Sequence, residues 1–222
     1  MELKAQNISM KYRKNGRNVL EDVSLSVKDG DYTALMGESG SGKSTLLAIM
    51  AGILRPTEGE VHFDDKNLYR LKDAELSEVH KEGIAFVPQS NIFIKNHTIL
   101  ENIITPHIIQ KGADETLLRE KAEEYLERFG IADLANRYPY ELSGGEQKRA
   151  SLVRSLVTDP KVLIADEPTT GLDKKTGALI MDSLKEYADS GKAVLIATHD
   201  ELIKGYEIKA FYIEKGKITA AE

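Results

Sequence analysis

The stretch "YTALMGESGSGKSTLLAIM" (Tyr32 to Met50) restricts what this chain can fold into more than any other part of it. An unbroken apolar run enters a loop containing Gly37, Gly40 and Gly42, then leaves as an apolar segment with helical spacing. Gly37-x-x-x-x-Gly42-Lys43-Ser44 between a strand and a helix is the pattern of a phosphate-binding loop. Its glycines permit turns that a Cβ would block. The N–H groups of Glu38, Ser39, Gly40, Ser41 and Gly42 can then converge on one anion, at a helix start that carries partial positive charge. Lys43 is expected on the β- and γ-phosphates of a nucleotide, and the Ser44 hydroxyl on Mg²⁺. Chance produces this pattern in about one chain per hundred of this length at average residue usage. The flanking strand and helix therefore carry the assignment.

Three further apolar runs end in polar residues: "IAFVPQ" (Ile84 to Gln89), "VLIADE" (Val162 to Glu167) and "AVLIATHD" (Ala193 to Asp200). None alternates with period two, which fits strands covered on both faces in a parallel sheet flanked by helices. Helical patterns separate them. Leu117, Leu118, Tyr125, Leu126 and Phe129 recur at 3–4 spacing between Asp114 and Gly130. A second helix is expected from Ser143, where Ser-x-x-Glu146 is a capping box, to about Thr158. A third runs from about Lys175 to Asp189 and stops at Gly191. The N-terminal 30 residues alternate more, like antiparallel strands joined at Asn15-Gly16, and "GEVHFDDKNL" (Gly59 to Leu68) looks like another hairpin arm. The expected fold class is α/β: a P-loop NTPase core with a mainly parallel sheet, an N-terminal antiparallel β subdomain and an inserted helical subdomain. Residues 1–222 form one domain in this reading, with about 1–90 and 160–222 as core and about 91–159 as the helical insertion.

Strand ends supply the remaining chemistry. A phosphate loop needs a second metal carboxylate and a means of activating water. Asp166 suits the metal, and Glu167 suits a general base. Adjacent side chains on a regular strand point opposite ways, so the strand must end here for both to face one site, and Pro168 fits such an end. Gln89 and His199 also close apolar runs. The Gln89 amide suits Mg²⁺ or the attacking water, and His199 suits a γ-phosphate; taken alone, each is more often a turn or capping residue.

Composition excludes several alternatives. The longest apolar run, "LLAIMAGIL" (Leu46 to Leu54), is under half of a membrane span, and the start lacks an apolar signal region. With no cysteine, thiol catalysis and Cys-based metal sites are impossible. The net charge of −6 argues against nucleic acid as a partner, and the cluster "KYRKNGR" is expected to be a solvated turn.

A second glycine motif, "LSGGEQKR" (Leu142 to Arg149), also precedes a helix. In this company the chain resembles, over essentially its whole length, a nucleotide-binding subunit of the ATP-binding cassette (ABC) superfamily. The motifs stand in that family's order. Gly37 to Thr45 resembles Walker A, Gln89 the Q-loop, "LSGGE" (Leu142 to Glu146) the signature, "VLIADE" Walker B, "GLD" (Gly171 to Asp173) the D-loop and His199 the H-loop. Tyr12 resembles the aromatic that stacks on adenine.

The resemblance implies an ATPase using ATP and Mg²⁺ that forms a head-to-tail homodimer. Ser143, Gly144 and Gly145 would bind the γ-phosphate of ATP held by the other subunit, and Asp173 would transmit the partner's state. It also implies a transmembrane permease subunit, which would hold this chain peripherally at the cytoplasmic face of the membrane. Residues from about Ser90 to Pro106 would form the permease groove, with Ile92, Phe93 and Ile94 as apolar contacts. "GESGSGKSTLL", "LENIITPHIIQKG" (Leu100 to Gly112) and "YELSGGEQKRASLVRSL" are similar to a subfamily serving lipoprotein release, macrolide export and peptide-antibiotic export. Pro88, Thr170 and Leu172 depart from that subfamily's pattern. The competing reading is a soluble ABC ATPase without a permease, such as one acting in iron–sulfur assembly.

Overall fold

The structure is a computed structural model that describes residues 1–13, 16–109 and 113–220. The Asn15 half of the expected N-terminal turn, and residues 110–112 of "LENIITPHIIQKG", lie outside the described residues. Two sheets organise the chain. In the first, β1 (Glu2–Met10) pairs antiparallel with β2 (Leu20–Lys28) on one side and β4 (Glu58–Phe63) on the other, and β5 (Lys66–Asn67) extends it. The second contains β3 (Tyr32–Met36), β6 (Ile84–Val87), β7 (Val162–Asp166), β8 (Ala193–Thr198), β9 (Lys209–Glu214) and β10 (Lys217–Ala220), in the order β10-β9-β3-β8-β7-β6. All its pairings are parallel except the β9–β10 hairpin.

Two cores explain why the central strands carry unbroken apolar runs. Leu163 and Ala165 of β7, with Val194 and Ile196 of β8, face one core shared with helices. Val162 and Ile164, with Ala193, Leu195 and Ala197, face a second core against the antiparallel sheet and α1 (Lys43–Met50). Either face turned to water would expose a row of aliphatics, so both must be covered.

Between β6 and β7 lie α3 (Ile99–Ile108), α4 (Glu115–Arg128) and α5 (Gly144–Leu156). Helix α4 starts at the Asp114 cap, and Gly130 follows it at φ 64°. Leu126 and Phe129 are fully buried, but Leu117 is 49% exposed and Ala122 reaches the core instead. Leu118 and Tyr125 pack against the same core, so the expected stripe fails only at Leu117. Helix α6 (Lys174–Asp189) is capped by Asp173. The short helix α2 (Asp73–Glu82) and the β9–β10 hairpin had no counterpart in the sequence reading. The hairpin did have a signal: Lys215 and Gly216 both take positive φ, the two-residue turn that suits a twisted pair.

Candidate active site

The phosphate loop runs from the end of β3 into α1. A Cβ at Gly37 would lie 2.3 Å from the Ile213 carbonyl, so β9 presses directly on the loop and only glycine fits there. Lys43 is nine-tenths buried; its Nζ curls back to donate to the carbonyls of Gly37 (2.7 Å) and Glu38 (3.1 Å). Tyr12 is 63% exposed beside the loop, its hydroxyl 3.0 Å from Thr45 Oγ1. Tyr12, Glu38, Ser39, Gly40, Gly42, Lys43, Ser44 and Thr45 line one cleft together with Gln89, Glu167 and His199. Its volume is about 600 Å³, within the range of small-ligand sites. Ser41 faces the adjoining hollow under the β9–β10 hairpin.

Asp166 is the last residue of strand β7, and Glu167 follows in a left-handed turn at φ 53°. Glu167 lines the cleft, while Asp166 is buried behind it, bonded to the cleft-lining Ser44. Burial raises the Asp166 pKa, against a hydrogen bond from Ser44 that lowers it. Its Oδ1 is buried without a hydrogen-bond partner, an oxygen that a cation or a donor would satisfy. Glu167 Oε1 lies 2.8 Å from His199 Nδ1 and 3.8 Å from Lys43 Nζ, while Oε2 accepts from the Thr170 hydroxyl at 2.6 Å.

The second glycine motif forms a separate cleft of about 660 Å³, lined by Ser143, Gly144, Gly145 and Asp173 among others, and also by Gln89. Gln89 therefore borders both clefts. Ser143 caps α5 in the expected capping box. Its hydroxyl donates to Glu146 Oε2 at 2.7 Å, and these bonds hold the Glu146 carboxyl below its ordinary pKa. Gly144 has ordinary negative φ, and a Cβ there would meet nothing within 4 Å, so nothing in its own chain demands glycine. The Asp173 carboxylate is occupied at the start of α6, accepting from the N–H groups of Lys175 and Thr176 and from the Thr176 hydroxyl.

A family model described as "ABC transporter" matches residues 20–170, which include the phosphate loop, Gln89, Ser143 to Gly145 and Glu167. The chain belongs to the ABC transporter family. It is an ABC-type ATPase. It is 36% identical to the lipoprotein-releasing system ATP-binding protein LolD of Aquifex aeolicus, over 98% of this chain and 96% of that one. Over 91% of its length it is 36% identical to the macrolide export ATP-binding/permease protein MacB 1/2 of Paracoccus denitrificans, matching 30% of that longer protein. The dimeric structure of the ABC transporter cassette MJ0796 superposes with a TM-score of 0.91 at 34% identity, covering 99% of this chain and 97% of that one. A post-hydrolysis dimer of MJ0796 bound to ADP and Pi superposes at 0.90 with 35% identity, covering the same shares of the two chains.

Sequence reasoning passed over two residues of this ABC cassette that touch Glu167. Thr170 is one. The other is Lys148, buried to 6% exposure, which donates to the carbonyls of Gln89 (3.1 Å) and Glu167 (2.9 Å). Its signal lay in the helix pattern: Lys148 stands in line, at four-residue spacing, with the buried Leu152 and Leu156. Ile92 and Ile94 are exposed, and the Ile92 carbonyl accepts at 2.6 Å from Arg154, which lines a groove of about 340 Å³ with Ile53, Phe86 and His107 among others. Phe93 is half-buried instead, its ring 5.0 Å below the Arg154 guanidinium. Among the described residues, no helix is long and apolar enough to cross a membrane.

Proposed function

We propose that this chain hydrolyses ATP as one half of a head-to-tail homodimer and thereby drives a membrane permease. The observation that carries the reading is the pair of anion-suited clefts that share Gln89 within one chain. The phosphate-loop cleft suffices for one nucleotide, so a second anion-suited helix start at Ser143–Gly145 is left to serve a nucleotide held by another subunit. Gly144 leaves open space at that start, which supports the approach of a γ-phosphate from a second subunit. The dimeric MJ0796 cassettes support the same arrangement.

In this reading Tyr12 stacks on adenine, and Gly37 to Thr45 wrap the phosphates, with Lys43 leaving its carbonyls for the β- and γ-oxygens. Ser44, Asp166 and the Gln89 amide would hold Mg²⁺, which supplies charge neutralisation along the phosphates. No cluster of three or more His, Cys, Asp or Glu side chains suited to a metal occurs among the described residues, so nucleotide and water would complete its shell. Glu167 accepts a proton from the attacking water, and His199 steadies Glu167 and the γ-phosphate. Cleavage removes the shared γ-phosphate and leaves two like-signed helix starts facing each other, which favours opening. Residues of about 91–159 act as the helical subdomain that carries this motion, with Asp173 placed to relay it.

The likeness to LolD and MacB supports lipoprotein release or export as the work done, at the cytoplasmic face of a membrane. Ile92 and Ile94 are the contacts offered to the permease. Purification of the tagged chain from membranes with and without ATP tests this. Recovery with an integral membrane protein is expected; recovery solely with cytosolic iron–sulfur assembly factors would sink the transporter reading.

A further inference from the structure

Lys148 is a buried cation that the mechanism above does not use. Four charged side chains around the base are at least nine-tenths buried: Lys43, Lys148, Asp166 and Glu167. Lys43 has the nucleotide to serve. Lys148 instead belongs to α5, the helix that begins at Ser143, and its ammonium spans two strand ends. It donates to the carbonyl of Gln89, just beyond β6, and to that of Glu167, just beyond β7. A buried ammonium is a poor device for stability alone, because desolvation offsets its hydrogen bonds and an apolar side chain of similar volume packs as well. Burial does push its pKa down, while the charges of Asp166 and Glu167 act in the opposite sense.

The carbonyl it holds at Glu167 is a sensitive one. Glu167 sits at φ 53°, a region that a residue with a Cβ leaves readily unless its surroundings hold it. The carbonyl's other donor, the Thr170 N–H, is longer at 3.4 Å, so without the ammonium the turn is held more weakly and the carboxylate is freer to leave His199 and the Thr170 hydroxyl. The Gln89 carbonyl is tied to the same ammonium, so both cleft-lining residues take their position from α5. We propose that Lys148 is a positioning residue for hydrolysis: it locks the turn that aims Glu167 at the water and keeps Gln89 in register with it. The proposal rests on Glu167 being the general base. It acts on the chemical step and leaves the nucleotide-binding loop untouched.

The test compares steady-state ATP hydrolysis by Lys148→Met, which keeps length but has no donor, with Lys148→Gln, which keeps an amide donor, and with Glu167→Gln. Lys148→Met is expected to lose about tenfold or more in kcat with KM for ATP within about twofold of the parent. Lys148→Gln is expected to recover most of that loss. Thermal melting should be unchanged or raised in Lys148→Met, and Lys148→Ala carries the same kinetic expectation should the thioether fail to pack. A kcat within twofold of the parent in a folded donor-free variant would overturn the proposal, as would a glutamine variant no faster than the methionine one. The reading beneath it fails separately: full turnover by Glu167→Gln would remove the base itself, whatever Lys148 does.

Discussion

His199 Nδ1 lies 2.8 Å from Glu167 Oε1, joining the ends of β8 and β7 across the mouth of the phosphate cleft. The carboxylate is 7% exposed and the imidazole 61%, so a mostly solvated ring reaches down to a buried anion. The bond sets the ring's chemistry. With its proton on Nδ1, a neutral imidazole presents Nε2 as an acceptor. To donate to a γ-phosphate it must release Glu167 or take a second proton. In the proposed mechanism nucleotide arrival thus competes for both partners of Glu167 Oε1, because Lys43, 3.8 Å away, is also assigned to the phosphates.

Glu167→Gln should bind ATP and hydrolyse it about 10²–10⁴-fold more slowly, the range expected for a lost general base. ATP then accumulates at the interface, and size-exclusion chromatography with Mg²⁺ and ATP should move the protein from monomer to dimer. A protein that stays monomeric at high concentration, with the permease present as well, contradicts the shared site.

Lys43→Ala removes the buried ammonium that donates to the Gly37 and Glu38 carbonyls of the loop. Turnover should fall about 10²–10³-fold, comparable to losing a preorganised donor to a developing charge. Equilibrium binding of a fluorescent ATP analogue should weaken in parallel; near-normal turnover would refute the phosphate-loop assignment.

Ser143→Arg fills the open start of α5 without touching the first cleft. The isolated subunit should bind ATP as before, yet neither dimerise nor turn over. Loss of ATP binding by the monomer would instead mean that the two clefts are not independent.

Asp166→Asn probes the cost of the buried carboxylate. Its folded-state pKa lies above the unfolded value through burial, so the folded protein holds that proton more tightly than the unfolded chain does. Ionisation above the folded pKa therefore opposes folding, and the opposition fades as pH falls through that value. Without nucleotide or metal, Asp166→Asn should melt a few degrees higher at pH 7, a difference that shrinks on acidification. Turnover should be lost at every pH. An unchanged melting temperature at pH 7 would mean that Lys43 and Lys148 offset the burial cost fully.

Much of this cassette was legible along the chain because local chemistry sufficed. Loop glycines, the Ser143–Glu146 capping box and the doubly covered strand runs each need only near neighbours in sequence to be recognised. The end of β7 at Asp166 agrees with the strand end expected there, and Glu167 turns away from the strand at φ 53°. The stripe of α4 was misplaced at Leu117 because spacing alone gives a face, and burial depends on where neighbouring helices stop.

Lys148, Thr170 and the β9–β10 hairpin belong to another category. Lys148 meets Gln89 59 positions away in sequence, and Gly37 meets Ile213 only because β9 lies parallel to β3. Such contacts depend on which strands become neighbours. Strand order comes from the packing of whole layers, and no short window of residues encodes it. The chemistry that this chain performs could be read residue by residue. How Glu167 is aimed had to wait for the fold, because its aim is set by a helix whose sequence lies 19 residues upstream and whose ammonium arrives through the core.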